Sequence, residues 1–266
     1  MPAAGLTRFK LFAAGVVFAA AWGGVMLPRL MSRRASPAPL SLASLLSGGV
    51  MLGAGLLHLL PDATESLGGE YPFANVLFAV GLVVPMVVEK LAHSSSQRKQ
   101  LLSAEAQETN PDMSDEEHPA TFSPMLVMFA LSFHSVLEGL AQGAATSLAM
   151  SFELLLVIIL HKGLAAFALG CVFVQSAISR QRANALGLIF ASATPVGIVV
   201  GLLLHVGLEG ETWVACAIAL ASGSFCFVAL QEVIPAELNS RRAPIAMQLS
   251  ALSVGFTAMA VLAVYV

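Results

Sequence analysis

The chain has 266 residues, of which 57% are hydrophobic and 11% charged, and its formal net charge is −3. Soluble domains carry about 25% charged residues, so this composition indicates a protein surrounded by lipid. No basic run is typical of nucleic-acid binding, and the three cysteines lie in apolar stretches without the spacing of a disulfide framework or a zinc finger.

Apolar stretches recur along the chain, each near the ~20 residues that a helix needs to cross a bilayer. The first is longer than the ~7–15 apolar residues of a signal peptide and ends in Pro28-Arg29, so we interpret it as a span. We therefore predict an all-α polytopic membrane protein with eight transmembrane helices. They cover residues 9–30, 40–61, 72–92, 122–148, 151–176, 184–206, 213–237 and 244–266.

A polar segment, residues 93–121, separates the third and fourth stretches. It is rich in Glu and Asp and lacks hydrophobic periodicity, which predicts a flexible cytoplasmic loop. The predicted organisation is one membrane domain, with helices 1–3 in residues 1–92 and helices 4–8 in residues 122–266.

Lysine and arginine concentrate in alternate connections between the stretches. The first, third, fifth and seventh connections contain them. The second, fourth and sixth contain aspartate or glutamate but no lysine or arginine. The positive-inside rule then places the odd connections in the cytoplasm and both termini outside it. Arg8 and Lys10 oppose this orientation but are outnumbered. We expect an integral protein of the plasma membrane.

Ionisable residues at membrane depth mark functional candidates. His134 and Glu138 share one face of the fourth stretch, because they are one helical turn apart. His134 lies ~18 Å and His161, on the fifth stretch, ~16.5 Å from the cytoplasmic face. Two imidazoles and a carboxylate at one depth suit zinc. The alternative is a polar network that only fixes helix packing, and the shared depth favours a metal.

Other polar residues lie toward the two ends of the spans. His58 and Asp62, one turn apart near the outside, form either an entrance site or an ordinary helix terminus. Toward the cytoplasm, Glu89, Glu232 and Glu237 either line an exit or reach the interface, and the interface is favoured for Glu237. Glycines at small-xxx-small spacing in the fourth and sixth stretches predict packing seams, through which a homodimer is conceivable.

The fourth stretch reads HSVLEGLAQG and the fifth HKGLAAFALG. Together they resemble the paired signature of the ZIP (Zrt/Irt-like) divalent metal transporter family, in the branch with HSxxEG and HK motifs. The similarity extends to SGGVMLGAGLLHLLPDA, SATPVGIVVG, EVIPAEL and GFTAMAVLAVYV, and so covers nearly the whole chain.

The resemblance implies eight spans arranged as three plus two plus three, with the outer triplets as inverted repeats. It also implies metal transport toward the cytosol, with the metal as transported substrate and with no enzymatic activity. His134, Glu138 and His161 become the ligands of the central site, and Met51 becomes an additional ligand. His58 and Asp62 become entrance residues, and Glu232 assists release.

Three positions depart from the wider family. Ser135 follows the fourth-span histidine where many members have Asn, and Lys162 and Ala165 stand where many have ligands for a second metal. We therefore expect one central ion. Whether Lys162 pairs with Glu138 is left open.

The sequence also leaves alternatives for the identity of the metal and for the type of activity. His-rich ligation favours zinc, without ranking it against Fe²⁺, Cd²⁺ or Mn²⁺. The main rival function is an intramembrane zinc-dependent hydrolase, which would use three ligands and a metal-bound water. A third hypothesis is that the protein is a metal-gated receptor. The absence of an HExxH motif favours transport over hydrolysis.

Overall fold

The computed structural model describes residues 3–32, 37–107, 124–176, 178–204, 211–240 and 242–264. This described part is helical and contains no strand, which confirms the all-α prediction. Its α-helices are α1 Ala3–Ser32, α2 Pro37–Ala54, α3 Leu60–Leu67, α4 Phe73–Gln107, α5 Pro124–Ala144, α6 Leu148–Gln175, α7 Arg180–Leu204, α8 Glu211–Phe227, α9 Ile234–Ser240 and α10 Ile245–Leu262.

Helical stretches long and apolar enough to cross a membrane number seven among the described residues. They confirm the polytopic membrane class and correspond to all the predicted spans except the fourth. The fourth is helical as α5, Pro124–Ala144, but is not among the seven. The count of eight spans therefore stays a prediction.

Helix α4 continues beyond its predicted span into the segment 93–121, as far as Gln107. This part of the segment contains Gln, Lys, Leu, Ala and Glu, which have good helix propensity, so the helix continues where hydrophobic periodicity stops. Residues 108–121 lie outside the described residues, and their role as a loop stays a prediction.

The helices pack in two groups. In the first group, α5 packs on α7, and α1 packs on α6 and α7. In the second group, α2 packs on α10, and α4 packs on α8. Contacts of α6 with α2 and of α5 with α8 join the groups. The helices α5 and α6, which carry the predicted ligands, thus belong to one group and face the other.

Two helix crossings in the second group repeat one another. A Cβ on Gly49 would meet the backbone of α10, and one on Gly255 would meet the backbone of α2. The same holds for Gly223 against α4 and for Gly81 against α8. Gly49 and Gly223 have the same separation in the chain as Gly81 and Gly255. The α2/α10 crossing therefore recurs as the α8/α4 crossing.

The predicted glycine seams lie between α5 and α7. A Cβ on Gly139 would meet Gly197, and one on Gly143 would meet Gly201. The seams are thus packed within one chain, as predicted for helix packing. They do not offer a surface to a second copy, and a homodimer stays a prediction without a surface.

Two spans contain π-helical segments. Gly55–Leu59 joins α2 to α3, and Val228–Val233 joins α8 to α9. Pro61 and Pro235 follow these segments, and proline lacks the N–H that would continue the helical hydrogen-bond ladder. Segments of this kind are often found at functional sites. His58 lies in the first segment and Glu232 in the second, each at the same distance before its proline.

Candidate metal centre

The centre lies between α5 and α6. Helix α5 presents His134 and Glu138 one turn apart, and α6 presents His161 and Lys162. All four side chains are buried within the helix bundle, and their depth in a bilayer stays a prediction. The structure thus brings together the three residues predicted as central ligands.

The ligand atoms of His134, Glu138 and His161 lie within 4.8 Å of one another. Glu138 Oε1 is 3.2 Å from His134 Nε2 and is also in contact with His161 Nε2. Two imidazole nitrogens and a carboxylate oxygen form a donor set that zinc accepts, with a fourth position left for water. The arrangement can therefore hold one divalent ion.

Several ring nitrogens of the centre have no hydrogen-bond partner. These are both nitrogens of His134 and Nδ1 of His161. His134 Nε2 is near Glu138 but lacks the geometry of a hydrogen bond. A polar network that only fixed helix packing would satisfy such buried groups. The unpartnered nitrogens favour a ligand site over the packing alternative.

Lys162 occupies the other side of Glu138. Its Nζ donates to Glu138 Oε2 at 3.3 Å and to Ser135 Oγ, and Ser135 in turn donates to the Leu131 carbonyl at 2.5 Å. The ammonium lies 4.8 Å from the ring centroid of Phe190. The question that the sequence left open is thereby answered, because Lys162 pairs with Glu138.

Phe225, on α8, covers both histidines and was missed by the sequence analysis. Its ring stacks on His134 with centroids 4.1 Å apart, and it meets His161 edge-on at 5.6 Å. Such contacts hold the imidazoles in fixed orientations. The sequence contained no signal for this contact, because Phe225 lies in an apolar run whose facing direction shows no periodicity.

A small cavity leads from the centre to the predicted entrance. Its volume is about 40 Å³, and its lining includes His58, Asp62, His134, Glu138 and His161. This is space for about three water molecules. His58 Nδ1 lies 3.3 Å from Asp62 Oδ2, and the Asp62 side chain is 46% exposed. The structure thus connects the predicted entrance residues to the predicted ligands.

Met51 is fully buried in the central apolar cluster, together with Phe225 and Leu169. The residues that line the cavity do not include it. Its role as an additional ligand stays a prediction.

Two carboxylates lie away from the cavity. Glu232 is 2% exposed, and Oε2 of both Glu232 and Glu89 has no hydrogen-bond partner. The two residues are close enough to interact electrostatically. Their role in an exit stays a prediction.

The interpretation of Glu237 as interfacial is wrong, because the side chain is 1% exposed and accepts a hydrogen bond from Gln175. The contact depends on how α6 and α9 pack, which the position of Glu237 in its span does not show.

Comparison with known proteins adds to this geometry. A family model described as ZIP Zinc transporter matches residues 7–125 and 93–263. Zinc transporter ZIP2 of Mus musculus is 29% identical over 266 residues, which cover 85% of this chain and 85% of that protein. Zinc transporter ZIP1 of Homo sapiens is 30% identical over 232 residues, with 76% and 71% covered. Protein zntD of Dictyostelium discoideum is 36% identical over 149 residues, with 54% and 22% covered.

Proposed function

Because the chain belongs to the ZIP zinc transporter family, we propose that it carries zinc across the membrane through His134, Glu138 and His161. One observation supports this most strongly. Three buried ligands, two of them histidines with unpartnered ring nitrogens, lie on a cavity that also contacts the partly exposed residue Asp62. Membership of a transporter family favours this function over the hydrolase.

We propose eight spans arranged as three plus two plus three, with the outer triplets as inverted repeats. The repeated glycine crossings and the two π-helical segments support this arrangement. The alternating positive charge of the connections supports extracytoplasmic termini. We also propose residence in the plasma membrane. In this orientation Asp62 lies on the outside, and the ion moves toward the cytosol, as the family resemblance implies.

The ion enters past Asp62 and His58 and loses water as it reaches the centre. Neutral imidazoles and ionised Glu138 bind it. Helices α5 and α6 then move against the group formed by α2, α4, α8 and α10. Met51 adds a ligand during this movement, and Glu89 and Glu232 accept the ion on the inner side before release.

The centre holds one ion at a time. Lys162 donates to Glu138 Oε2 and Ser135, on the side where wider-family members have further ligands, and Ala165 supplies no donor. An ammonium there repels a second cation. Zinc is the expected substrate, with Fe²⁺, Cd²⁺ and Mn²⁺ as competitors that share part of its ligand preference.

Zinc flux into sealed proteoliposomes tests this function. We expect Glu138→Gln and His161→Ala to reduce flux by about 100-fold or more, because each removes a direct ligand and loss of a supporting partner alone costs about 10–100-fold. Ser132→Ala is the control, since Ser132 is on the same helix and donates to Met128. Undiminished flux in both ligand variants would refute the proposal. Peptide or lipid hydrolysis without flux would support the hydrolase.

A further inference from the structure

A hydrogen bond joins the end of α6 to α9 on the side of the molecule away from His58 and Asp62. Gln175, the last residue of α6, donates from Nε2 to Glu237 Oε1 at 2.8 Å. The other carboxylate oxygen, Oε2, lies 3.8 Å from Arg242 Nη1 and has no hydrogen-bond partner. Gln175 is thus the hydrogen-bond donor that holds this buried carboxylate.

The backbone of Glu237 is fixed within its own helix group. Its carbonyl accepts hydrogen bonds from Gln248 Nε2, on α10, at 3.0 Å and from Ser240 Oγ at 2.6 Å. Its side chain instead reaches α6, which packs with α1 in the other group. The bond between Gln175 and Glu237 therefore crosses from one helix group to the other.

Helix α6 also carries His161, one of the central ligands. Gln175 is ~21 Å further along the same helix at 1.5 Å per residue. Between them, Leu169, Cys171 and Phe173 are buried, so this half of α6 is tightly packed. At the centre, by contrast, the cavity extends to His58 and Asp62. The hydrogen bond between Gln175 and Glu237 therefore lies at the end of the packed half of α6, away from the cavity.

We propose that the Gln175–Glu237 hydrogen bond is an inner latch, which stabilises the conformation whose centre communicates with His58 and Asp62. The latch breaks each time α6 moves against α9 and α10 to open the inner side. Glu237 acts through Gln175 and not on the ion, so it is a positioning residue. This inference rests on the proposed transport function.

Cys171 provides a reporter for the latch, because it is buried on α6 one turn before Gln175. With Cys216→Ala and Cys226→Ala as background, a charged thiol reagent applied to the protein in lipid nanodiscs labels Cys171 only when the inner side opens. We expect Gln175→Met to accelerate this labelling about threefold to tenfold, because it removes one side-chain hydrogen bond. An unchanged labelling rate would overturn the proposal.

Gln248→Met is the matched control. It removes a hydrogen bond to the same residue, Glu237, but that bond lies within one helix group. We expect labelling of Cys171 at the background rate in this variant. Acceleration equal to that of Gln175→Met would show that general loosening around Glu237 is responsible, and it too would overturn the latch.

A second experiment closes the latch instead of opening it. In a cysteine-free background, Gln175→Cys with Glu237→Cys is joined by a short bifunctional thiol reagent. The cross-linked protein should still bind one zinc ion but carry none, whereas each single variant treated alike should keep its flux. Flux through the cross-linked protein would refute the latch. Absence of flux in the wild type would refute transport, while the labelling ratio would still test the latch.

Discussion

The two π-helical segments have similar sequence surroundings but different environments. His58, in Gly55–Leu59, lines the cavity and lies 3.3 Å from Asp62. Glu232, in Val228–Val233, is buried, and one of its oxygens has no hydrogen-bond partner. Proline follows both segments at the same spacing. The local sequence does not account for this difference, which instead fits the proposed conformation of the transporter, open toward His58 and closed around Glu232.

The largest effect that the comparison predicts concerns the glycines at the repeated crossings. Gly49→Ala and Gly223→Ala each place a Cβ against the backbone of a neighbouring helix, which cannot rotate away. We expect each substitution to lower the free energy of unfolding by about 1–3 kcal/mol, the typical cost of overpacking. The thermal unfolding midpoint in detergent should fall by similar amounts in the two variants.

Gly15→Ala serves as the control, since a Cβ there meets nothing within 4 Å. Alanine in a helix is more stable than glycine by about 1 kcal/mol, so this variant should unfold at the same temperature or higher. A large loss at Gly49 with none at Gly223 would show that the two crossings are not equivalent.

The sequence predicted the centre because the argument needed only helix geometry. The spacing of His134 and Glu138 and the depth of His161 follow from the rise and period of a helix. The π-helical segments, by contrast, depend on contacts between helices. Phe225 and Glu237 could not be placed either, because these spans are apolar on all sides and their rotation leaves no periodic signal.

The burial of Lys10 could not be predicted from the sequence either. Lys10 opposed the orientation given by the positive-inside rule, yet it is buried and donates to the Gly143 carbonyl at 2.6 Å. Gly143 lies in the last turn of α5, where a cation stabilises unpaired carbonyls and the helix dipole. The position of Lys10 is thus explained by helix packing.

A smaller, kinetic effect should distinguish Gly55–Leu59, whose His58 lines the cavity, from Val228–Val233, whose Glu232 is buried. His58→Ala should raise the zinc concentration for half-maximal flux about threefold to tenfold, because it weakens capture at the cavity. Glu232→Gln should instead lower the maximal flux by a similar factor, because it acts after binding. Initial rates over a zinc series in proteoliposomes measure both quantities.

Glu70→Gln is the control for this pair, because Glu70 is exposed and does not line the cavity. It should change neither quantity. If His58→Ala and Glu232→Gln both changed only the half-maximal concentration, the two segments would act at the same step, and the assignment of one to capture and the other to release would be wrong.

The smallest expected effect tests which contacts support the first π-helical segment, Gly55–Leu59. Ser222 Oγ, on α8, donates to the Gly55 carbonyl at 2.7 Å, and Ser222→Ala leaves that buried carbonyl without this donor. We expect a loss of about 1 kcal/mol, seen as a lower unfolding midpoint. Ser224→Ala is the matched control, because Ser224 Oγ donates to Ala221 of its own helix at 2.8 Å, and it should lose less. Equal losses would show that the hydrogen bond between the two spans gives Gly55–Leu59 no particular support.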